Sequence, residues 1–586
     1  MEIKYKKNDN KLLFANLNSK DLTNIDNLQN YCPFYNNYFN LSENNYNSIN
    51  LYNTFYLNNI TEKISYNKYK AKLIDNCNNF INSEIFFKYS PLIDPIKYLV
   101  GKYNNIYKDI SNVSDKIDFL YKLPKYQISN DENFCLDKIN DKNNISYVDC
   151  FFSYLSSILL NNYNFINGLN FYGSFLGIKN DFLYNIEDDI DILSESDFFY
   201  NNKEILYKID NNYHEIFNSN TRKNKNKINI ENLDDTILLS DIEDLDNIND
   251  SNIKEDELEK DSILQEDNIL KEENNIILDE LNINIDVSNI SRTNKLTNSR
   301  SSSTCSSRSS LTNSKDSIEE EDLSSEESEL SDEEDEINLV INKFPIQLIA
   351  LESCHDTLDS YIIDSKIKDK EWESIIMQIL FILITYQKVF KFTHNDLHTN
   401  NIVYNNTDKK FIYYKFDGTY YKVPTFGKIY KIIDFGRSIY TFKNNLHISE
   451  SFSPDGDAAT QYNCEPYLNS NKPILNPNYS FDLCRLSCSL FDYFVEDLSD
   501  LKKIKSPIKK LIISWCYDDN NKNILYKSNG QERYPEFKLY KMIARIVNNH
   551  IPKDIIKNEL FNEYKISKKK INSGTIVNID EIPKMY

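Results

Sequence analysis

Residues 392–404 read FTHNDLHTNNIVY, and residues 431–436 read KIIDFG. His394, Asp396, Leu397 and Asn401 satisfy the spacing H-x-D-L-x-x-x-N, and Asp434-Phe435-Gly436 closes a short apolar run about thirty residues later. An apolar stretch of helical period precedes both. The two segments together carry two carboxylates and an amide at turn positions. Such a set can orient a hydroxyl group and hold a hard cation through oxygen. His394 and His398 stand four apart, a spacing that ligates zinc on a helix. Here neither HExxH nor a further Cys/His cluster follows, which sets the zinc reading aside.

On these two motifs, in this order, the chain resembles the protein-kinase-like superfamily. The phrases THNDLHTNNIVY, VPTFGKIYKIIDFGR, FYGSFLGIK and FPIQLIALE are similar to kinase-like proteins of large DNA viruses of protists, across about residues 80–215 and 338–500. The resemblance implies an α+β, two-lobed fold with a small β-rich N-lobe and a helical C-lobe. It also implies an ATP- and Mg²⁺-dependent phosphotransferase, in the first instance a serine/threonine protein kinase. Asp396 would be the catalytic base, with His394 and His398 as the other catalytic residues of the loop. Asn401 and Asp434 would hold Mg²⁺, and a strand lysine, Lys88, would reach the ATP phosphates. Glu352, Ser353 and Cys354 would form the hinge whose backbone pairs with adenine. Asp482, opening a later helix, would hold the catalytic loop from below. Histidine at 398, where many protein kinases carry lysine, is familiar from small-molecule kinases of the same superfamily, so an aminoglycoside- or choline-type kinase stays open as an alternative.

Net charge is −22 over 586 residues. About 33 acidic and about 8 basic residues fall between Glu231 and Glu336, so the rest of the chain is close to neutral. The charge describes one insert. Ten cysteines show neither CxxC nor paired spacing, as in a reducing compartment. Cys484 and Cys488 sit in an apolar helical pattern and read as core. The start, MEIKYKKNDNKLLF, has no apolar signal region, and no run of eighteen apolar residues occurs. The expectation is a cytoplasmic, non-secreted protein, in host cytoplasm or virion if viral. Its partners would be ATP and a protein substrate, without nucleic acid or membrane, and the oligomeric state is left open.

Along the chain, residues 1–45 are polar and Asn-rich and read as a peripheral or poorly ordered extension. Residues 46–217 read as the N-lobe with an insertion. Short β-rich runs lie between Ile49 and Leu92, with Lys88 mid-strand and Lys72 as its rival. No glycine precedes Lys88, since the first is Gly101, so the usual glycine-rich phosphate loop is missing. Either a non-glycine hairpin covers ATP or nucleotide binding is weak; less favourably, Gly173–Gly177 forms the phosphate loop. The helix Tyr147–Asn162 should carry a glutamate to pair the lysine and has none. Ser156 falls near that slot, with Asp149 about two turns earlier. These two departures keep a second reading open: a pseudokinase scaffold. The acids of Ile186–Leu193 read as an exposed edge.

Residues 218–337 are Ser-rich and acidic, cannot bury a core, and are expected to be disordered. Ser324, Ser325, Ser328 and Ser331 precede acids and fit acid-directed phosphorylation. Residues 338–586 complete the sheet and supply hinge and C-lobe. Glu371–Phe390 is apolar nearly all round, as a core helix requires. Asp417-Gly418 marks a β-hairpin inserted between the two motifs. Residues 500–586 read as Lys-rich helices.

Overall fold

The computed structural model describes all residues except Met1, 106–118, 127–134, 210–336 and 572–574. The expected disordered insert and its four serines, save residue 337, therefore lie outside the described residues. What is described is an α+β protein.

A seven-stranded antiparallel sheet dominates the first half. Its order is Ile25–Gln29, Phe171–Asn185, Asn338–Glu352, Phe80–Pro91, Lys68–Asp75 and Phe55–Lys63, with Tyr207–Ile209 added beside Asn338–Glu352. The central strand Asn338–Glu352 buries eight consecutive residues, Phe344 to Leu351, because elements cover both its faces. The strand Lys68–Asp75, two places further along the sheet, instead alternates. Tyr69, Ala71 and Leu73 point into the core and Lys70 and Lys72 into solvent. Lys72 is thus exposed, whereas Lys88 is buried.

The hairpin before the Lys88 strand turns through Ile64, Ser65, Tyr66 and Asn67, without glycine. Asn67 Nδ2 donates to the Phe87 carbonyl at 2.7 Å, and Leu183 N donates to the Tyr66 hydroxyl at 2.9 Å. Gly173 and Gly177 lie inside the strand Phe171–Asn185 and form no phosphate loop. A Cβ on Gly177 would stand 2.4 Å from Ile25 Cγ2, so this glycine admits the N-terminal strand at close approach.

That contact corrects the expectation for residues 1–45. The strand Ile25–Gln29 pairs with Phe171–Asn185, and Leu13, Leu17, Cys32, Phe34 and Tyr35 are buried. A few apolar residues among many asparagines suffice, because they are buried against the rest of the protein, as Phe34 is against Tyr147 and Phe151, and the asparagines bond one another and the backbone, as Asn30 does with Asn8 and Asn47.

In the second half the helix Asp369–Phe390 is buried almost throughout. It is the one described helix long and apolar enough to cross a membrane, and 94% of its apolar window is covered by protein. The expected hairpin is present as Phe411–Phe416 and Thr419–Pro424, with Asp417 and Gly418 at positive φ. It does not stand alone. Lys565–Ile566 and Ile576–Asn578 extend it to four strands, and Asp580 accepts from the Asp417 and Gly418 backbone N–H groups. The C-terminal stretch, expected to be helical, therefore supplies strands as well. Cys484 and Cys488 are buried core residues, and none of the described cysteines is in a disulfide.

Candidate functional site

The loop 393–401 is held from beneath by one carboxylate. Asp482, in the first turn of the helix Phe481–Phe494, accepts from His394 N at 3.0 and 2.9 Å and from Asn395 N at 2.9 Å. Asn395 adopts a left-handed backbone (φ 63°), which turns both N–H groups inward. Its side chain donates to the Arg437 carbonyl and accepts from the Tyr462 hydroxyl. The loop's geometry is thus specified on three sides.

His394 is fully buried. Its Nδ1 accepts from Asp396 N at 3.3 Å, and its Nε2 lies 3.0 Å from the Ile433 carbonyl. With both ring nitrogens engaged, His394 ties the loop to Ile433, just after the strand Lys428–Ile432. His398 is held neutral, burial pushing it down to about 4. Its Nε2 therefore accepts from Asn401 Nδ2, at 3.0 Å. Asn401 Nδ2 also donates to the Asp396 carbonyl at 3.0 Å. Both amide hydrogens are then spent, and Asn401 Oδ1 is left buried without a hydrogen-bond partner among the described residues.

The second cluster centres on Lys88. Its Nζ lies 2.6 Å from Asp149 Oδ2 and 3.0 Å from Asp434 Oδ1, all three side chains being over nine-tenths buried. Burial pulls the Lys88 ammonium down, but the two carboxylates outweigh it and hold the charge firmly. Asp149 also accepts from Phe435 N at 2.8 Å, so one carboxylate clasps both the lysine and the Asp-Phe-Gly turn. This overturns the expected absence of an ion pair. Ser156, placed near the slot by the sequence, instead bonds Tyr386 and the Leu169 backbone within the core. Asp149 reaches Lys88 because the helix Ile145–Tyr163 begins hard against Gly436, where a Cβ would stand 2.8 Å from Ile145 Cγ1. A shorter acid from an earlier turn then spans the distance a glutamate would span from further along.

The predicted hinge is less open. Glu352 is committed to structure: its carboxylate accepts from Asn170 N, Lys431 Nζ and Asn405 Nδ2. Cys354 is half-buried, with burial pushing its thiol up to about 12. A cleft of about 920 Å³ opens on the Lys88 cluster, bounded by Lys88, Asp149, Asp434, Arg437, Lys138 and Glu450 among others. Glu352, Cys354, Asp396 and Asn401 do not line it.

Three residues escaped the sequence reading. Arg485, Tyr540 and Arg437 surround Asp396, which is itself fully buried. The Tyr540 hydroxyl donates to Asp396 Oδ1 at 2.7 Å and accepts from Arg485 Nε at 2.9 Å. Burial pushes the Asp396 carboxyl up, but the charges of Arg437 and Arg485 and the Tyr540 hydroxyl outweigh it and hold it below the usual carboxylate range. The signal for Arg485 was available, as an arginine three residues after Asp482 in an apolar helix. Tyr540 lies 144 residues from Asp396 and carried none.

The chain matches no protein-family model and no curated protein. Among the described residues no three His, Cys, Asp or Glu side chains converge as a metal cluster. A divalent cation would have to rely on the Asp434 carboxylate and the orphaned Asn401 oxygen. This donor set suits Mg²⁺, which keeps several waters and shares phosphate oxygens.

Proposed function

We propose that the chain is an ATP-dependent phosphotransferase of the protein-kinase-like superfamily that transfers to a hydroxyl group on protein, serine or threonine in the first instance. The observation that carries this is the convergence of Lys88, Asp149 and Asp434, from three distant segments, beside a loop that buries Asp396 and Asn401. The sheet order around the Lys88 strand and the backbone grip of Asp482 agree with a two-lobed kinase arrangement. In this reading Lys88 positions the ATP phosphates. Asp434 and Asn401 Oδ1 hold Mg²⁺, which when bound neutralises charge on the transferred phosphoryl group. Asp396 orients the acceptor hydroxyl and takes its proton late in transfer, consistent with a carboxylate held weakly basic by its neighbours.

The test is transfer of label from ATP, with Mg²⁺, to generic protein substrates and to the chain itself. Wild type is expected to transfer and Asp396→Ala to lose at least about a hundredfold. Equal activity in the two proteins would remove the proposal.

One observation favours a second reading, a non-catalytic scaffold. The hairpin at residues 64–67, where a glycine-rich loop would be expected, lacks glycine and is pinned through Asn67 and Tyr66, so its backbone is less free to wrap phosphates. ATP binding without Asp396-dependent transfer to protein, sugar or amino-alcohol acceptors would favour it. Transfer to the small acceptors alone would point to a small-molecule kinase.

A further inference from the structure

Asp396 offers two oxygens, and the fold treats them differently. Oδ1 accepts from the Tyr540 hydroxyl at 2.7 Å, with Arg485 Nε 3.9 Å away. Oδ2 is buried and has no hydrogen-bond partner among the described residues. Tyr540 is itself fixed. It sits on the helix Lys538–Ile546, its ring stacks on Phe537 at 5.2 Å and contacts Phe481 at 6.1 Å, and the Arg485 and Arg437 guanidinium groups lie 5.2 and 5.6 Å from the ring centre. Arg485 Nε donates to the same hydroxyl. The phenolic oxygen therefore accepts from arginine and has its single proton directed at Asp396.

We propose that Tyr540, backed by Arg485, is the positioning residue of this site. It engages Oδ1 and so sets the carboxylate plane with Oδ2 presented to the acceptor. An unpaired buried carboxylate oxygen is costly unless a partner arrives, and an acceptor hydroxyl is such a partner. In the step this serves, the acceptor oxygen bonds to the γ-phosphorus as the bond to the β-bridging oxygen breaks. ADP leaves, and the acceptor proton passes to Oδ2. This inference rests on the phosphotransferase reading above.

The experiment compares wild type, Asp396→Ala, Tyr540→Phe and Arg485→Lys in the full chain, with thermal unfolding as the control for fold. Tyr540→Phe keeps the ring and its stacking and removes the hydroxyl, and with it both the proton given to Oδ1 and the acceptor of Arg485 Nε. The expected result is a fall in kcat of about tenfold to a hundredfold for Tyr540→Phe, with KM for ATP unchanged. Arg485→Lys, which keeps the charge but not the Nε–H geometry, is expected to fall by less, again in kcat alone. An unchanged kcat in Tyr540→Phe overturns the proposal while leaving the phosphotransferase reading intact. A raised kcat also overturns it, and would mean that Tyr540 occupies the acceptor's place. A wild type no more active than Asp396→Ala overturns both readings together. If Tyr540→Phe melts far below wild type, Arg485→Lys decides: a kcat loss at constant KM supports positioning, and parity with wild type refutes it.

Discussion

Lys88 shows how much a single side chain can settle. A strand lysine is ordinarily solvated, yet this one is buried between two carboxylates. Removing one partner leaves a buried charge half-compensated, which is far more costly than losing a surface pair. Asp149→Ala is accordingly expected to destabilise the protein by about 3 kcal/mol, read from the urea midpoint without nucleotide. The same substitution frees Phe435 N and should raise KM for ATP. A variant as stable as wild type would mean that the pair is dispensable. The sequence singled out Lys88 as a mid-strand lysine alternating with Phe87 and Tyr89, with Lys72 as a rival on an adjacent run. The partner of Lys88 was not legible, because helical spacing points to Ser156, and only the seating of the helix start against Gly436 brings Asp149 within reach.

At the scale of elements, the strand Ile25–Gln29 and the segment after it turn an apparently peripheral stretch into part of the core. Ile25, Cys32, Phe34 and Tyr35 are each at most 1% exposed. Burying one such side chain contributes roughly 1.5–3 kcal/mol, so losing all of them rivals a typical net stability of about 5–15 kcal/mol. A chain begun at Ile49 is therefore expected to lose cooperative thermal unfolding or to aggregate, and a sharp melt within a few degrees of wild type would contradict this. Composition concealed the element, since asparagine-rich runs read as solvated. The hairpin at Asp417-Gly418 was the opposite case. Two turn residues between alternating strands needed no tertiary context to be read, although the strands that join it from the C-terminal end did.

Across the whole molecule, distant segments are tied by buried charge. Lys138, just before the helix Ile145–Tyr163, lies 3.3 Å from Glu450, far along the chain after the Asp-Phe-Gly turn. Burial pushes the Glu450 carboxyl up to about 7, against the pull of Lys138. Its folded value thus stands above its ordinary 4.5, and the neutral form is the one the fold prefers. The stabilisation from this group is full below about pH 4.5 and is lost as the pH rises through about 7. Glu450→Gln stays neutral throughout. It should match wild type near pH 5 and exceed it by about 1–3 kcal/mol at pH 8, measured as melting curves from pH 5 to 8. Parallel curves would exclude a role for Glu450.

By itself the sequence determined the local pieces: the loop around Asp396 and Asn401, the turn at Asp434, the core helix Asp369–Phe390, the Lys88 strand and the inserted hairpin. Each is written in residue spacing within a few turns of chain, and spacing survives without knowledge of the fold. Tertiary structure alone decided which acid meets Lys88, that the first fifty residues complete the sheet, that Glu352 is spent on Lys431 and Asn405, and that Tyr540 bonds Asp396. These are contacts between residues tens to hundreds of positions apart. They are set by how burial orients whole elements, and no local period encodes that orientation.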